Sequence, residues 1–261
     1  MVQTNRKSGL MALIAIFLAS NMVAQESPKK GGSLNLQHHS NVSELLYGKE
    51  SSLVQNLPLT TTTLEGNGWD PIGSTYFFID FEAGNAANLK DPYMGMYFEF
   101  TREWCFWGKS KVAGLTIHTE IDQVVGYGMM PQDFTTNFLP GIAYSHVGEK
   151  LFWQVQLLYR HSYSAASGHA PGAQMTWVWC YTPTAWFELS GYADFMYDSE
   201  PYLLNGKGLK IAIEPYVWFK LNDSFALGSR LRATYNCYQD FIDYQGARTY
   251  FAPTIDVRWR I

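Results

Sequence analysis

The sequence predicts an all-β fold, a single-chain antiparallel transmembrane β-barrel of about twelve strands. Three observations predict it. The last stretch, Thr249 to Ile261, alternates Phe251, Pro253, Ile255, Val257, Trp259 and Ile261 with Ala252, Thr254, Asp256, Arg258 and Arg260. A period of two is a strand with two unlike faces. The same alternation recurs along the chain, and the connections between the alternating stretches are by turns long and tight.

Composition sets the limits. Of 261 residues, 16% are aromatic and 16% charged, where an average chain has ~25% charged. A mean hydropathy of −0.16 is not that of a helical membrane protein. The N-terminus carries Arg6 and Lys7, an apolar run Leu10 to Ala19, and Ala24 before Gln25. This is the pattern of an export signal over residues 1–24, followed by a barrel domain over 25–261. The run is too short to span a bilayer, which takes ~20 residues. The net charge of −4 becomes −6 without Arg6 and Lys7, an acidity that argues against nucleic acid as a partner. Cys105, Cys180 and Cys237 are odd in number and scattered. They read as small apolar side chains within strands and not as a disulfide framework.

The elements follow in order. Ser33–His39 forms a first strand, and Asn41–Leu57 is a long connection. Pro58–Glu65 is a Thr-rich second strand. Gly66-Asn67-Gly68-Trp69-Asp70-Pro71 is dense turn chemistry. In Ser74–Glu82, Phe77, Ile79 and Phe81 oppose Tyr76, Phe78, Asp80 and Glu82. In Tyr93–Trp107, Met96, Phe98 and Phe100 oppose Tyr97, Glu99, Thr101 and Glu103. Arg102 breaks the apolar face near its end, as a residue snorkelling to an interface would. In Leu115–Asp122, Ile117, Thr119 and Ile121 oppose His118, Glu120 and Asp122. Phe138–Val147 and Leu151–Arg160 flank a tight turn at Gly148–Lys150. His161–Gly172, rich in Ser, Ala, Gly and His, reads as a loop. Ala173–Tyr181, Trp186–Tyr197, Leu209–Val217 and Phe225–Asn236 complete the set before the closing strand.

The connections after odd strands are long: Asn41–Leu57, Gly84–Pro92, Gly126–Asn137, His161–Gly172, Asp198–Gly208 and Gln239–Ala247. Those after even strands are mostly tight: Gly148–Lys150, Thr182–Thr184 and Asn222–Asp223. Barrels of the outer membrane have short periplasmic turns and long outer loops, whereas a soluble sandwich has no reason to sort its connections. Aromatics gather near strand ends at Trp104, Phe106, Trp107, Trp177, Trp179, Trp186 and Trp259, as an interfacial girdle does.

With the apolar faces on lipid, the other faces line a lumen. Tyr76, Asp80, Tyr97, Glu99, His118, Glu120, Arg160, Tyr192, Arg230 and Arg232 are the candidate solute-binding residues. Acids gather on strands three to five and bases on strands eleven and twelve. Such a wall orients charged or dipolar solutes, and its tyrosines offer faces for a ring-shaped one. The alternative is that the charges pair across a narrow lumen and plug it. A hydrolase is disfavoured: there is no GxSxG or HExxH motif. Residues two apart on a strand stand ~6.6 Å apart along it, too far for a ready His118–Glu120 dyad. No cofactor is expected. His38-His39, and His161 with His169, read as exposed polar residues and not as metal ligands.

Gly73-Ser74-Thr75-Tyr76-Phe77-Phe78-Ile79-Asp80-Phe81 and Tyr97-Phe98-Glu99-Phe100-Thr101-Arg102-Glu103 resemble an uncharacterised outer-membrane family similar to the nucleoside-specific, Tsx-like channels. Gly191-Tyr192-Ala193-Asp194-Phe195 and Glu214-Pro215-Tyr216-Val217-Trp218 resemble it too. The resemblance covers most of the mature chain in layout and implies a monomeric twelve-stranded barrel with nucleoside passage. The terminal Ile261 departs from the usual terminal Phe. The expected function is passive uptake of small polar solutes across the outer membrane of a Gram-negative bacterium. A closed structural or ligand-binding barrel is the alternative, and a barrel hydrolase the third. The intact mass of the exported protein should correspond to a chain beginning at Gln25; a mature chain that keeps Leu10–Ala19 contradicts the export reading.

Overall fold

A computed structural model of the chain describes residues 31–47, 58–85, 94–107, 114–127, 134–164, 168–198, 208–237 and 249–261. The export signal over 1–24, the basic turn between Gly108 and Gly114, and most of the long connections lie outside these residues. Among the described residues twelve strands close into one antiparallel barrel in which each strand pairs with its neighbours in sequence and the first pairs with the last. The strands are β1 (Gly31–Asn41), β2 (Pro58–Asp70), β3 (Gly73–Asn85), β4 (Met94–Trp104), β5 (Leu115–Tyr127), β6 (Phe134–Val147), β7 (Leu151–Ser164), β8 (Gly168–Thr184), β9 (Phe187–Asp198), β10 (Gly208–Lys220), β11 (Phe225–Tyr235) and β12 (Thr249–Arg260). One short helix, α1 (Glu44–Tyr47), follows β1.

Closure is made at the β1–β12 seam, where Asn35 pairs with Arg260 and Asn41 with Thr254. The backbone N–H of Ile261 donates to the Leu34 carbonyl at one end. At the other, Val42 N–H donates to the Pro253 carbonyl, and Phe251 N–H donates to the Tyr47 hydroxyl of α1. Closure leaves no sheet edge, the condition for crossing hydrocarbon with strands.

The outer surface is apolar through the middle. Phe81, Phe100, Ile121, Phe138, Ile142, Leu157, Leu227 and Ile255 are large apolar side chains that point out and are exposed, Ile255 at 62%. A soluble sandwich would hide these groups; here the apolar surface takes a hydrocarbon solvent. Aromatics frame the band. At the short-turn end Trp186 stacks on Phe219 with centroids 6.2 Å apart, and Trp104 on Phe106 at 6.1 Å. At the long-connection end Tyr159, Tyr163 and Tyr197 are exposed. Arg102 stands near the short-turn end of β4. Its Nη2 donates to both carboxylate oxygens of Asp70 at 3.0 and 2.9 Å, its Nη1 donates to Thr75 Oγ1 at 2.9 Å, and its guanidinium lies 4.8 Å from the Trp104 ring centroid.

Several boundaries differ from the sequence reading. Thr182–Thr184, expected as a turn, ends β8, and the turn there is Ala185-Trp186. Gly66–Asp70, expected as a turn, continues β2: Asn67 pairs with Ser33 on one side and Tyr76 on the other. The turn itself is Pro71-Ile72. Gly73 is required there, because at its φ of +151° a Cβ would lie 1.8 Å from the Glu103 carbonyl oxygen. His161–Gly172, expected as a loop, is mostly strand, with Ser162 paired to Ala170. The β5–β6 connection is shorter than expected, since β6 begins at Phe134. In each case pairing with neighbouring strands overrides local propensity. The expected sorting of the connections is therefore weaker at β7–β8 than the sequence suggests, though the even-strand turns at Gly148–Lys150 and Leu221–Ser224 are tight.

Ile121, at the centre of β5, tests which solvent meets the outside. Ile121→Arg should cost about 2–4 kcal/mol of folding free energy in lipid vesicles, measured by urea titration. A cost within ~0.5 kcal/mol, usual for a water-exposed site, contradicts a hydrocarbon band there.

Candidate functional site: the lumen

With apolar side chains sent outward, the other phase of every strand fills the interior. The lumen is narrow enough for side chains to reach across it. Near the short-turn end, Arg258 of β12 donates Nη1 to Glu188 Oε1 of β9 at 2.8 Å, past two intervening strands. Lys220 Nζ lies 2.8 Å from the other Glu188 oxygen. The Arg258 guanidinium lies 4.4 Å from the ring centroid of Trp218, which is 1% exposed. A second chord crosses on another arc. Gln154 Nε2 of β7 donates to Glu103 Oε1 of β4 at 3.2 Å. His118 joins it, with Nδ1 2.7 Å from Glu103 Oε1 and Nε2 3.1 Å from Glu120 Oε2, and the Thr116 hydroxyl donates to Glu103.

The close His118–Glu120 contact corrects the sequence expectation that residues two apart stand too far apart to form a dyad. The backbone spacing holds, but in a narrow lumen the side chains lean together. His118 is fully buried and flanked by two carboxylates. The arrangement fits a structural clamp, which needs no access to solvent.

At mid-height Glu214 takes Arg230 Nη1 at 3.3 Å and Arg232 Nε at 2.5 Å. It also accepts the Tyr216 hydroxyl at 3.3 Å. Asp80 accepts the Thr63 hydroxyl. His39 Nδ1 lies 2.9 Å from Asp256 Oδ1, both buried, a close contact that lacks hydrogen-bond alignment.

Two aromatic banks line the passage. On one, Phe78 lies between Tyr76 and Tyr97, with centroids 5.9 and 5.2 Å away. On the other, Tyr216 stacks on Trp218 at 6.2 Å and 10°, near Tyr192. Tyr76 of β3 and Tyr216 of β10 stand near each other across the lumen, as do Tyr97 of β4 and Tyr192 of β9. The tyrosine hydroxyls are spent on carboxylates: Tyr76 donates to Glu65 Oε2 at 3.2 Å, and Tyr97 lies 3.2 Å from Glu99 Oε2 and 3.4 Å from Asp122 Oδ2.

All ten candidate residues stand on the inward phase. Tyr97 and Glu99 come together, as do His118 with Glu120 and Arg230 with Arg232. Arg160 stands nearer the long-connection end, donating to Gln174 Oε1 at 2.8 Å and Ser162 Oγ at 3.2 Å. The expected separation of acids and bases holds in part: Arg230 and Arg232 sit on Glu214, so the basic arc carries its own acid. Glu65, Asn137 and Trp218 belong to the wall and were missed. Glu65 and Asn137 fell at the edges of segments read as turn and connection; Trp218 continues the phase of Glu214 and Tyr216, which counting by two would have found. His161 and His169 lie on paired strands, not in a loop, with ring nitrogens 3.0 Å apart. Among the described residues, no three His, Cys, Asp or Glu gather as a metal site. Among the described residues Cys105, Cys180 and Cys237 form no disulfide.

The family of the domain of unknown function DUF5020 matches residues 33–261. No curated protein matches the chain. Among solved structures, the chain is similar to a NanC porin at a TM-score of 0.54 and 8% identity, covering 87% of this chain and 100% of that one. It is also similar to a KdgM porin (TM-score 0.47, 10% identity, 87% and 98% covered) and to LpxR from Salmonella typhimurium (0.44, 9%, 87% and 99%). The NanC likeness supports the barrel fold and nothing finer.

Removing one partner of a buried cluster strands the others. Glu214→Gln should lower the unfolding free energy by about 3 kcal/mol or more, and adding Arg230→Gln should return part of it. Urea unfolding from vesicles measures the cycle. A loss below ~0.5 kcal/mol, as at a solvated surface pair, contradicts the buried triad.

Proposed function

We propose, from the premise that the chain belongs to the DUF5020 family and folds as a barrel of the kind seen in porins, that it is a narrow passive channel. It would sit in the outer membrane of a Gram-negative bacterium and admit small polar solutes, with nucleosides the first class to try. The observation that carries this reading is the pair of aromatic banks, Tyr76–Phe78–Tyr97 and Tyr192–Tyr216–Trp218, set with carboxylates. A flat base gains by stacking on such faces. Ribose hydroxyls can donate to Glu99, which accepts only. The resemblance of the β3, β4, β9 and β10 segments to the nucleoside-specific channels points the same way. A lumen of this width lies between filled small barrels and open porins, which suits one small solute passing at a time.

The two chords favour a second reading, a barrel closed at its short-turn end. Liposome swelling separates the two. Vesicles carrying the protein should swell in nucleoside solutions faster than empty vesicles, and Tyr97→Ala with Tyr216→Ala should erase any preference for nucleosides over sugars of similar size. Permeability no higher than that of empty vesicles contradicts the channel and supports the closed barrel.

A further inference from the structure

We infer that the wall made by β4, β5 and β6, from mid-height towards the long-connection end, is a cation subsite that takes the protonated amine of a small solute and turns anions away. The inference rests on the channel reading and names the solute class it favours.

The lumenal bases named above are engaged locally. Glu214 holds Arg230 and Arg232, and Glu188 holds Arg258 and Lys220. On the β4–β5 wall the acids outnumber the base that reaches them: Arg160 of β7 acts on Asp122 and Asp194 but spends its hydrogen bonds on Gln174 and Ser162. Glu99 meets the hydroxyls of Tyr97 and Thr101, at 3.2 and 3.4 Å. Asp122 meets the Tyr97 hydroxyl at 3.4 Å and the Asn137 amide nitrogen. Hydroxyls and amides satisfy lone pairs but add no positive charge. Asp194 of β9 adds its field from across the lumen. Like charges gathered in a low-dielectric wall repel, and an incoming cation relieves that repulsion.

An independent observation comes from Asn137, which is 3% exposed. Its amide nitrogen bonds Asp122, yet its Oδ1 accepts no hydrogen bond from the protein. A buried acceptor of this kind lacks a donor. An ammonium group supplies three donors and no acceptor. A caged metal ion is not indicated, since the carboxylates do not converge as a metal site. The faces of Tyr97 and Phe78 beside Glu99 give an organic cation attraction that a carboxylate solute lacks.

Reversal potentials of the full-length barrel in planar bilayers under a KCl gradient test this. The expected result is a preference for K+ over Cl− of about threefold or more, falling towards one in the double variant Glu99→Gln, Asp122→Asn. Selectivity for Cl−, or an unchanged ratio in the variant, overturns the subsite and leaves the channel standing. Absence of current together with absence of swelling removes the channel reading and the subsite with it. Calorimetry on the detergent-solubilised wild type needs neither conduction nor a folded variant: phenethylammonium should bind, while phenylacetate, its anionic counterpart, should not. Equal binding, tighter phenylacetate binding or no binding of either overturns the subsite.

Discussion

The ladder closed between β1 and β12 is the constraint on which the rest depends. In hydrocarbon an unpaired backbone amide costs several kcal/mol, so the sheet must end where it began. The seam meets this with pairs from Asn35–Arg260 to Asn41–Thr254 and with further bonds beyond each end, from Ile261 to Leu34 and from Phe251 to Tyr47. Closure then sorts the side chains. One phase of each strand must dissolve in lipid, so nearly every charge is sent into a tube of limited width. The crowding of Glu103, His118 and Glu120, and of Glu188, Arg258 and Lys220, follows from that sorting.

The fold was legible because period-two alternation records this sorting directly. Phe77, Ile79 and Phe81 against Tyr76, Phe78 and Asp80 reveal both faces of β3 without any neighbour. The errors fall where a strand is held by its neighbours and not by its own residues. Gly66-Asn67-Gly68 carries every local sign of a turn, yet Ser33 and Tyr76 pair with Asn67 on its two sides. Ser162 and Ala170 sit in a run of small residues, which reads as a loop only because small inward residues also suit a wall crossed by long ones such as Arg160.

The lumen was legible by phase but not by partner. Counting by two puts Glu99, His118 and Arg230 inside, and they are inside. It does not say that Arg258 reaches Glu188 past two strands, because that contact depends on barrel radius and strand stagger, neither of which is written in one strand. Nor does it give Asn137 its place beside Asp122, because the start of β6 is fixed by pairing with β5.

Buried pairs and passage are compatible because the two chords tie different arcs. Glu188–Arg258 joins β9 to β12 and Glu103–Gln154 joins β4 to β7. Between them lie the β12-to-β4 arc, with Tyr76 and Phe78, and the short β7-to-β9 arc. A solute between the chords meets aromatic faces and carboxylates together with the guanidinium of Arg230, which lies 5.8 Å from the Tyr216 ring centroid. The chords also brace the wall, since each joins strands that share no backbone hydrogen bond. The charges that narrow the lumen are thus the ones that keep the remaining gap in shape, and Glu99 and Asp122 lie away from the Arg258 chord, with Arg160 the base whose charge acts on Asp122.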